Sequence, residues 1–131
     1  MPHVLIETRR EYSEAQEVAL MDAVHGALER AFRIPPEDRH VRLLEHRPHR
    51  FACPPGTAQP DRFTQISIDA FAGRSVDAKR DLYRQIVERL EPLGIPKDHV
   101  SILLRDVPQS NWGIRGGLAA CDVELGFDVN V

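Results

Sequence analysis

Proline stands second in this chain, directly after Met1. An initiator methionine is commonly trimmed when a small residue follows. Trimming here would leave Pro2 with a secondary amine where the rest of the backbone carries amides. An α-amino group titrates near about 7.7–8.0, and burial or nearby cations lower that value. Such a group can take or give a proton at neutral pH. With Met1 in place the Pro2 nitrogen is a non-basic amide, and many chains begin Met-Pro with no chemical purpose. From Pro2 alone that plainer reading is preferred.

Other residue types extend the list. Arg74 follows Gly73 at a strand-to-helix turn, where an arginine beside a helix N-terminus can grip an anionic group; the commoner fate is a solvated surface cation. Asp38, in Pro36-Glu37-Asp38-Arg39, can relay a proton or orient water, or simply pair with Arg39. Arg42 lies in a strand, as an anion ligand or as half of an ion pair. Trp112 and Ile114 belong to the glycine-rich turn Asn111-Trp112-Gly113-Ile114-Arg115-Gly116-Gly117. That turn can wall an apolar pocket or close a hairpin whose Trp fills the core, and the two readings stand about even. It lacks the lysine and spacing of a phosphate loop. His25, beside Val24 and Leu28, reads most simply as a packing histidine, and is kept as a candidate substrate contact with Arg42, Trp112 and Ile114. His46, His49 and Cys53 are metal-ligand types close together, but no second cluster completes a tetrahedral site. No metal is expected.

The elements that must position these groups repeat. Val4-Leu5-Ile6 reads as a buried strand. Ser13 is a plausible N-cap, and Val18, Met21, Val24, Leu28 and Phe32 recur at helical spacing until Ile34-Pro35-Pro36 stops the helix. Val41 to Glu45 is a second strand, and strand–helix–strand is the parallel crossover unit. Residues 47–62 carry Pro48, Pro54, Pro55, Gly56 and Pro60 and read as a linker or long loop. The pattern then restarts: a strand around Ile66, Ile68 and Ala70, a helix with Leu82, Ile86, Leu90 and Leu93 on its apolar face, a stop at Gly94-Ile95-Pro96, and a strand from Val100. "IPPEDRHVRLLEHRP" from Ile34 matches "IPKDHVSILLRDVP" from Ile95 with one gap. The expected fold is α+β: two tandem β-α-β units, about 2–48 and 63–108, forming one four-stranded mixed sheet with two helices on one face, in a single domain over 1–131. A C-terminal hairpin or strand occupies 111–131. Val123, Leu125, Phe127, Val129 and Val131 alternate with polar residues or glycine, which predicts a strand to the last residue; its exposed edge calls for cover by another subunit.

Composition narrows the functional classes. The chain has 131 residues, a net charge of −3 and two cysteines, Cys53 and Cys121. No strong basic field draws it to nucleic acid or an anionic membrane, and no apolar run spans a bilayer. Two cysteines far apart do not make a disulfide framework, and the N-terminus lacks the features of a signal peptide, so a cytoplasmic location is expected. Of the 17 cationic residues only Lys79 and Lys97 are lysine. Arginine is the side chain suited to gripping carboxylates with two parallel bonds.

Taken together, Pro2 after Met1, the two β-α-β halves, the Gly73-Arg74-Ser75 turn and the closing "NWGIRGGLAA" resemble the tautomerase superfamily. The second half is similar to a 4-oxalocrotonate tautomerase monomer, in which the catalytic proline would fall on Thr64, so only the first half can supply the amine. "LMDAVHGALERAFRIPPEDRHVRLLEHRP", from Leu20 to Pro48, is most similar to malonate semialdehyde decarboxylase and its relatives. The resemblance implies a homotrimer of double-length subunits, no cofactor and a small carboxylate substrate. It implies Pro2 as acid–base group, Asp38 as polar assistant, Arg74 as carboxylate clamp and Trp112 in the pocket wall. The decarboxylase uses two arginines one residue apart near this turn. Here the earlier position is Ala72, a loss of order one charge-assisted hydrogen bond, roughly 1.5–3 kcal/mol. Three activities stay open: a keto–enol tautomerase with Pro2 as base, a decarboxylase or hydratase with Pro2 as acid, and a binding domain that kept the fold without the chemistry.

Overall fold

The computed structural model describes residues 1–131. Strand β1 (His3–Thr8) opens the chain and buries Val4, Ile6 and Thr8 on one face. Helix α1 (Glu14–Phe32) starts at Ser13, whose hydroxyl accepts from the Gln16 backbone N–H while the Gln16 side chain accepts from the Ser13 N–H. This reciprocal cap satisfies two otherwise orphaned donors. The buried face of α1 is Leu20, Val24, Ala27, Leu28, Ala31 and Phe32. Val18, expected on that face, is 54 % exposed, and Leu20 points inward in its place. Strand β2 (Val41–Glu45) runs parallel to β1.

The second unit repeats the first. Strand β3 (Thr64–Phe71) leads into α2 (Val76–Leu90), capped by Ser75, and β4 (Val100–Val107) returns parallel to β3. The halves join through an antiparallel β1–β3 pair, giving the order β2-β1-β3-β4. Both helices share one face, where Ile66, Ile68, Leu82, Ile86 and Leu90 complete the main core. Leu93, expected on the α2 apolar face, falls past the helix in a short 3₁₀ turn and is exposed. Side chains of the opposite sheet face, which the alternation of the pleat turns away from the helices, include Leu44, Leu103 and the Asp69–Arg105 ion pair.

The proline-rich segment between the halves is pinned. Short 3₁₀ turns cover Pro48–Arg50 and Pro60–Arg62, Phe51 meets Phe63 edge-to-face at 5.5 Å, and the Gln59 backbone N–H donates to Nε2 of the buried His99 at 2.9 Å. His46 lies 2.9 Å from Glu7, and Arg9 donates to the Cys53 sulfur at 3.2 Å. His46 and Cys53 therefore engage different neighbours, and His49 is exposed.

The C-terminal segment corrects one expectation. A small hairpin forms from β5 (Gly113–Ile114) and β6 (Leu118–Ala119), but residues 123–131 pair with no strand. Their alternation records alternating burial. Val123, Leu125, Phe127 and Val129 pack with Phe71, Trp112, Ile114 and Ala120 as a second apolar cluster at the end of the sheet. Ser75 Oγ donates to the main-chain oxygen of Val131 at 2.8 Å, which ties the tail to the start of α2. The tail thus gives no exposed strand edge for a second subunit to cover.

Gly73 makes this docking possible. Its φ is +137°, and a Cβ there would sit 2.9 Å from Asn130 Oδ1 and 3.1 Å from the Val129 carbonyl oxygen. Gly73→Ala is expected to destabilise the protein by at least about 1 kcal/mol, since strain and contact both oppose the side chain. Urea unfolding should show a lower midpoint, with faster proteolysis after residue 122. An unchanged midpoint and cleavage rate would mean that the tail packs without needing this glycine.

Candidate active site

The N-terminal ends of β1 and β2, the end of β3 and the C-terminal tail meet around one cavity of about 230 Å3. Phe71, Ile114, Leu125 and Phe127 supply its apolar walls. Glu37, Asp38 and Arg115 supply the polar side, and Met1 and Pro35 close it.

Asp38 owes its place to the helix stop. Its backbone N–H donates to the Pro35 carbonyl at 3.0 Å, turning the chain back toward the sheet. The buried His25 lies with Nε2 2.9 Å from the Pro36 carbonyl and 3.0 Å from Glu29. Beyond the turn, the Val4 N–H donates to the His40 carbonyl at 2.8 Å and starts the β1–β2 ladder. Asp38 Oδ2 ends 2.6 Å from the Met1 amine.

Burial is the main influence on that amine and lowers its pKa below the ordinary α-amino value; Asp38 opposes this, and Arg74 adds to the lowering. Low dielectric disfavours the ammonium, the carboxylate favours it, and the guanidinium repels it.

Arg74 lies behind the cavity wall and is only 6 % exposed. Its guanidinium stacks 4.8 Å from the Phe32 ring centre, and Nη1 donates to the Phe71 carbonyl at 3.2 Å. Nε and Nη2 are buried without a partner. Burial lowers the Arg74 pKa, with Asp106, Asp38 and Asp128 acting the other way. Two buried donors on one edge of a guanidinium match the two oxygens of a carboxylate.

The structure thus brings Pro2, Asp38, Arg74 and Ile114 to one end of the sheet. Pro2 is buried at the head of β1. Trp112 stands one layer back, edge-on to Phe71 at 4.9 Å and to His3 at 4.8 Å, so it supports the wall without lining the cavity. Arg42 lies elsewhere, in a shallow depression with His3 and His40. His25 holds the Asp38 turn and does not reach the cavity. Phe71, Leu125 and Phe127 line the cavity and were not singled out from the sequence. Phe127 sat in the alternating tail, a signal that marked it as buried but not where.

Comparison with known proteins places the chain among relatives by sequence and by fold. The family model described as "Tautomerase enzyme" matches residues 38–115. A 2-hydroxymuconate tautomerase of Comamonas testosteroni is 36 % identical over 55 residues, which are 41 % of this chain and 84 % of the relative. Among solved structures, the FG41 malonate semialdehyde decarboxylase inhibited by 3-bromopropiolate superposes with a TM-score of 0.76 at 28 % identity, over 89 % of this chain and 92 % of that one. A fused 4-OT solved as a symmetric trimer gives a TM-score of 0.79 at 22 % identity, over 90 % and 95 % of the two chains, a likeness of fold.

Proposed function

The chain belongs to the tautomerase family, and from that premise we propose that it is a cofactor-independent keto–enol tautomerase of a small 2-oxo acid or enol carboxylate. Trimming of Met1 makes Pro2 the terminal residue and moves the amine one residue, about 3.8 Å, along the chain. The neutral amine takes the proton from the enol oxygen or from the carbon beside the carbonyl. The resulting ammonium returns it to the other position, so protons balance over the cycle. Arg74 receives the carboxylate on Nε and Nη2 once the side chains that cover it move aside, and Asp38 orients the ammonium. Phe71, Ile114, Leu125 and Phe127 exclude water and favour the neutral amine.

The observation that carries this reading is the half-buried Met1 amine, 2.6 Å from Asp38 and close enough to Arg74 to be repelled by it, which puts the chain terminus beside both groups. A trimer of this chain is part of the proposal, supported by the uncovered sheet face with Leu44 and Leu103 and by the trimeric fused 4-OT of the same fold.

The same Asp38 contact favours a second reading. A carboxylate against the amine stabilises the ammonium, the acid form that would polarise a carbonyl in a decarboxylase or hydratase. The pH dependence of kcat/KM separates the two. Ketonisation of phenylenolpyruvate by Met1-free protein is expected to rise with pH through one titration and then level off, because the neutral amine is the working form. The Met1 amine is lowered below the ordinary α-amino value because burial and Arg74 outweigh Asp38, and the Pro2 amine, one residue deeper at the same end of the sheet, is expected to shift the same way. A rate that falls through the same titration selects the acid reading.

A further inference from the structure

Asp38 has two carboxylate oxygens and faces two bases. Oδ2 meets the Met1 amine at 2.6 Å, and Oδ1 lies 3.5 Å from Nε2 of His40. The carboxylate is 12 % exposed, while the imidazole is 46 % exposed. We propose that His40 is a positioning residue that engages the outer oxygen of Asp38 and shares its negative charge, so that Asp38 holds the terminal amine less tightly. The proposal rests on the reading of the trimmed Pro2 amine as the acid–base group.

His40 is held in place from two sides. Its carbonyl accepts the Val4 N–H at 2.8 Å, the bond that joins the Asp38 turn to β1. Its ring packs 4.8 Å from the His3 ring, which in turn meets Trp112 edge-on at 4.8 Å. The imidazole therefore sits beside Asp38 as a fixed part of the fold.

The chemistry gives this placement a purpose. A carboxylate that faced only the amine would hold it as ammonium and leave little free base. An imidazole N–H turned toward Oδ1 would stabilise the carboxylate charge where it is and weaken its pull on the amine proton. The contact at 3.5 Å is an ion-pair distance, and such contacts in unliganded sites often tighten when substrate binds. Other charged groups bear on the same network. Arg74 acts on the amine from the start of α2, and Glu37 and Arg115 stand on the cavity wall. His3 on β1 faces His40, Arg42 on β2 and Asp69 on β3, and its own pKa is lowered first by burial and then by His40 and Arg42.

The test uses Met1-free protein labelled with 15N-proline, with the Pro2 nitrogen followed by NMR across pH. His40→Phe keeps a ring against His3 and removes the donor. It is expected to raise the amine pKa by about half a unit, with the acid limb of kcat/KM for phenylenolpyruvate moving alongside. His40→Gln retains an N–H donor and should restore at least half of the wild-type position. Asp38→Asn should lower the amine pKa, and adding His40→Phe to it should cause no further shift. An amine titration unmoved by His40→Phe overturns the proposal. So does a shift that persists in the Asp38→Asn background, because His40 would then act on the amine directly. A wild-type amine that titrates apart from the rate limb removes the catalytic reading of Pro2, while the coupling of His40 to Asp38 is still read from the NMR shifts alone.

Discussion

Protein carrying an extra residue ahead of Pro2 is expected to turn over phenylenolpyruvate at least about 10²-fold more slowly than protein that begins at Pro2, the usual contribution of a positioned acid–base group. Two effects act together. The Pro2 nitrogen becomes an amide, whose lone pair is delocalised into the carbonyl and takes no proton at neutral pH. The additional residue also fills the site: Met1 lines the cavity, and its amine occupies Asp38 at 2.6 Å. Met1 does present an amine of its own, with a lowered pKa. That amine stands one residue farther out than the nitrogen of Pro2, and a displacement of that size costs a proton transfer most of its rate.

Mass spectrometry of the two preparations, followed by kinetics on each, makes the measurement. Pro2→Ala is the companion variant. It still permits trimming and leaves a primary amine at the same place, so its rate should fall between those of the two forms. Equal rates for all three would remove the amine from the chemistry. Protein isolated from its own host with Met1 intact would favour the binding-domain reading, since the secondary amine would never exist there.

The reach of the sequence reading follows from which interactions are local. The two β-α-β units were legible because helix and strand leave different periods, and because Ser13, Ser75, Pro35 and Gly94 mark ends with chemistry that acts within a few residues. Asp38 and Arg74 were legible for a related reason, each lying just beyond such an end. The tail shows where periodicity stops informing. Period two in residues 123–131 states that alternate side chains are buried, and a strand is only one way to bury them. Here the partner is the apolar cluster around Phe71 and Trp112, and the backbone pairs with no strand. Two overlapping apolar series run along α1, one through Val18 and one through Leu20, and only the packed sheet selects the one containing Leu20. The cavity itself was not legible. Phe71, Ile114, Leu125 and Phe127 come from separate segments and share no spacing rule. His40 was invisible for the same reason, since its value lies in a contact with Asp38 and in the His3 ring across the β1–β2 boundary.

Arg74→Met should separate function from stability more sharply than any other substitution in this chain. In activity, the variant loses both unpartnered donors that the carboxylate would use. Each charge-assisted bond contributes roughly 1.5–3 kcal/mol, so kcat/KM should fall on the order of 10²-fold or more. Arg74→Lys should recover only part of this, because an ammonium restores the charge but not the two-pronged geometry. In stability, the sign reverses. A structural arginine with satisfied bonds would be costly to remove, but Arg74 makes one hydrogen bond to protein, the 3.2 Å bond to the Phe71 carbonyl, and leaves Nε and Nη2 buried and unsatisfied. Losing that single bond costs about 0.5–1.5 kcal/mol, whereas each buried orphan donor carries a penalty of about 1–3 kcal/mol. The nearby acids keep other partners: Asp106 has Lys79 at 2.7 Å, Asp38 has the terminal amine at 2.6 Å, and Asp128 accepts from the Asn130 N–H at 2.8 Å. Methionine also retains apolar contact with the Phe32 ring. The urea midpoint should therefore hold or rise while activity collapses, the pattern expected where a binding group is kept at the expense of the fold. A variant that loses stability and activity together would show that Arg74 is a structural cation, and the carboxylate would then have to be held elsewhere.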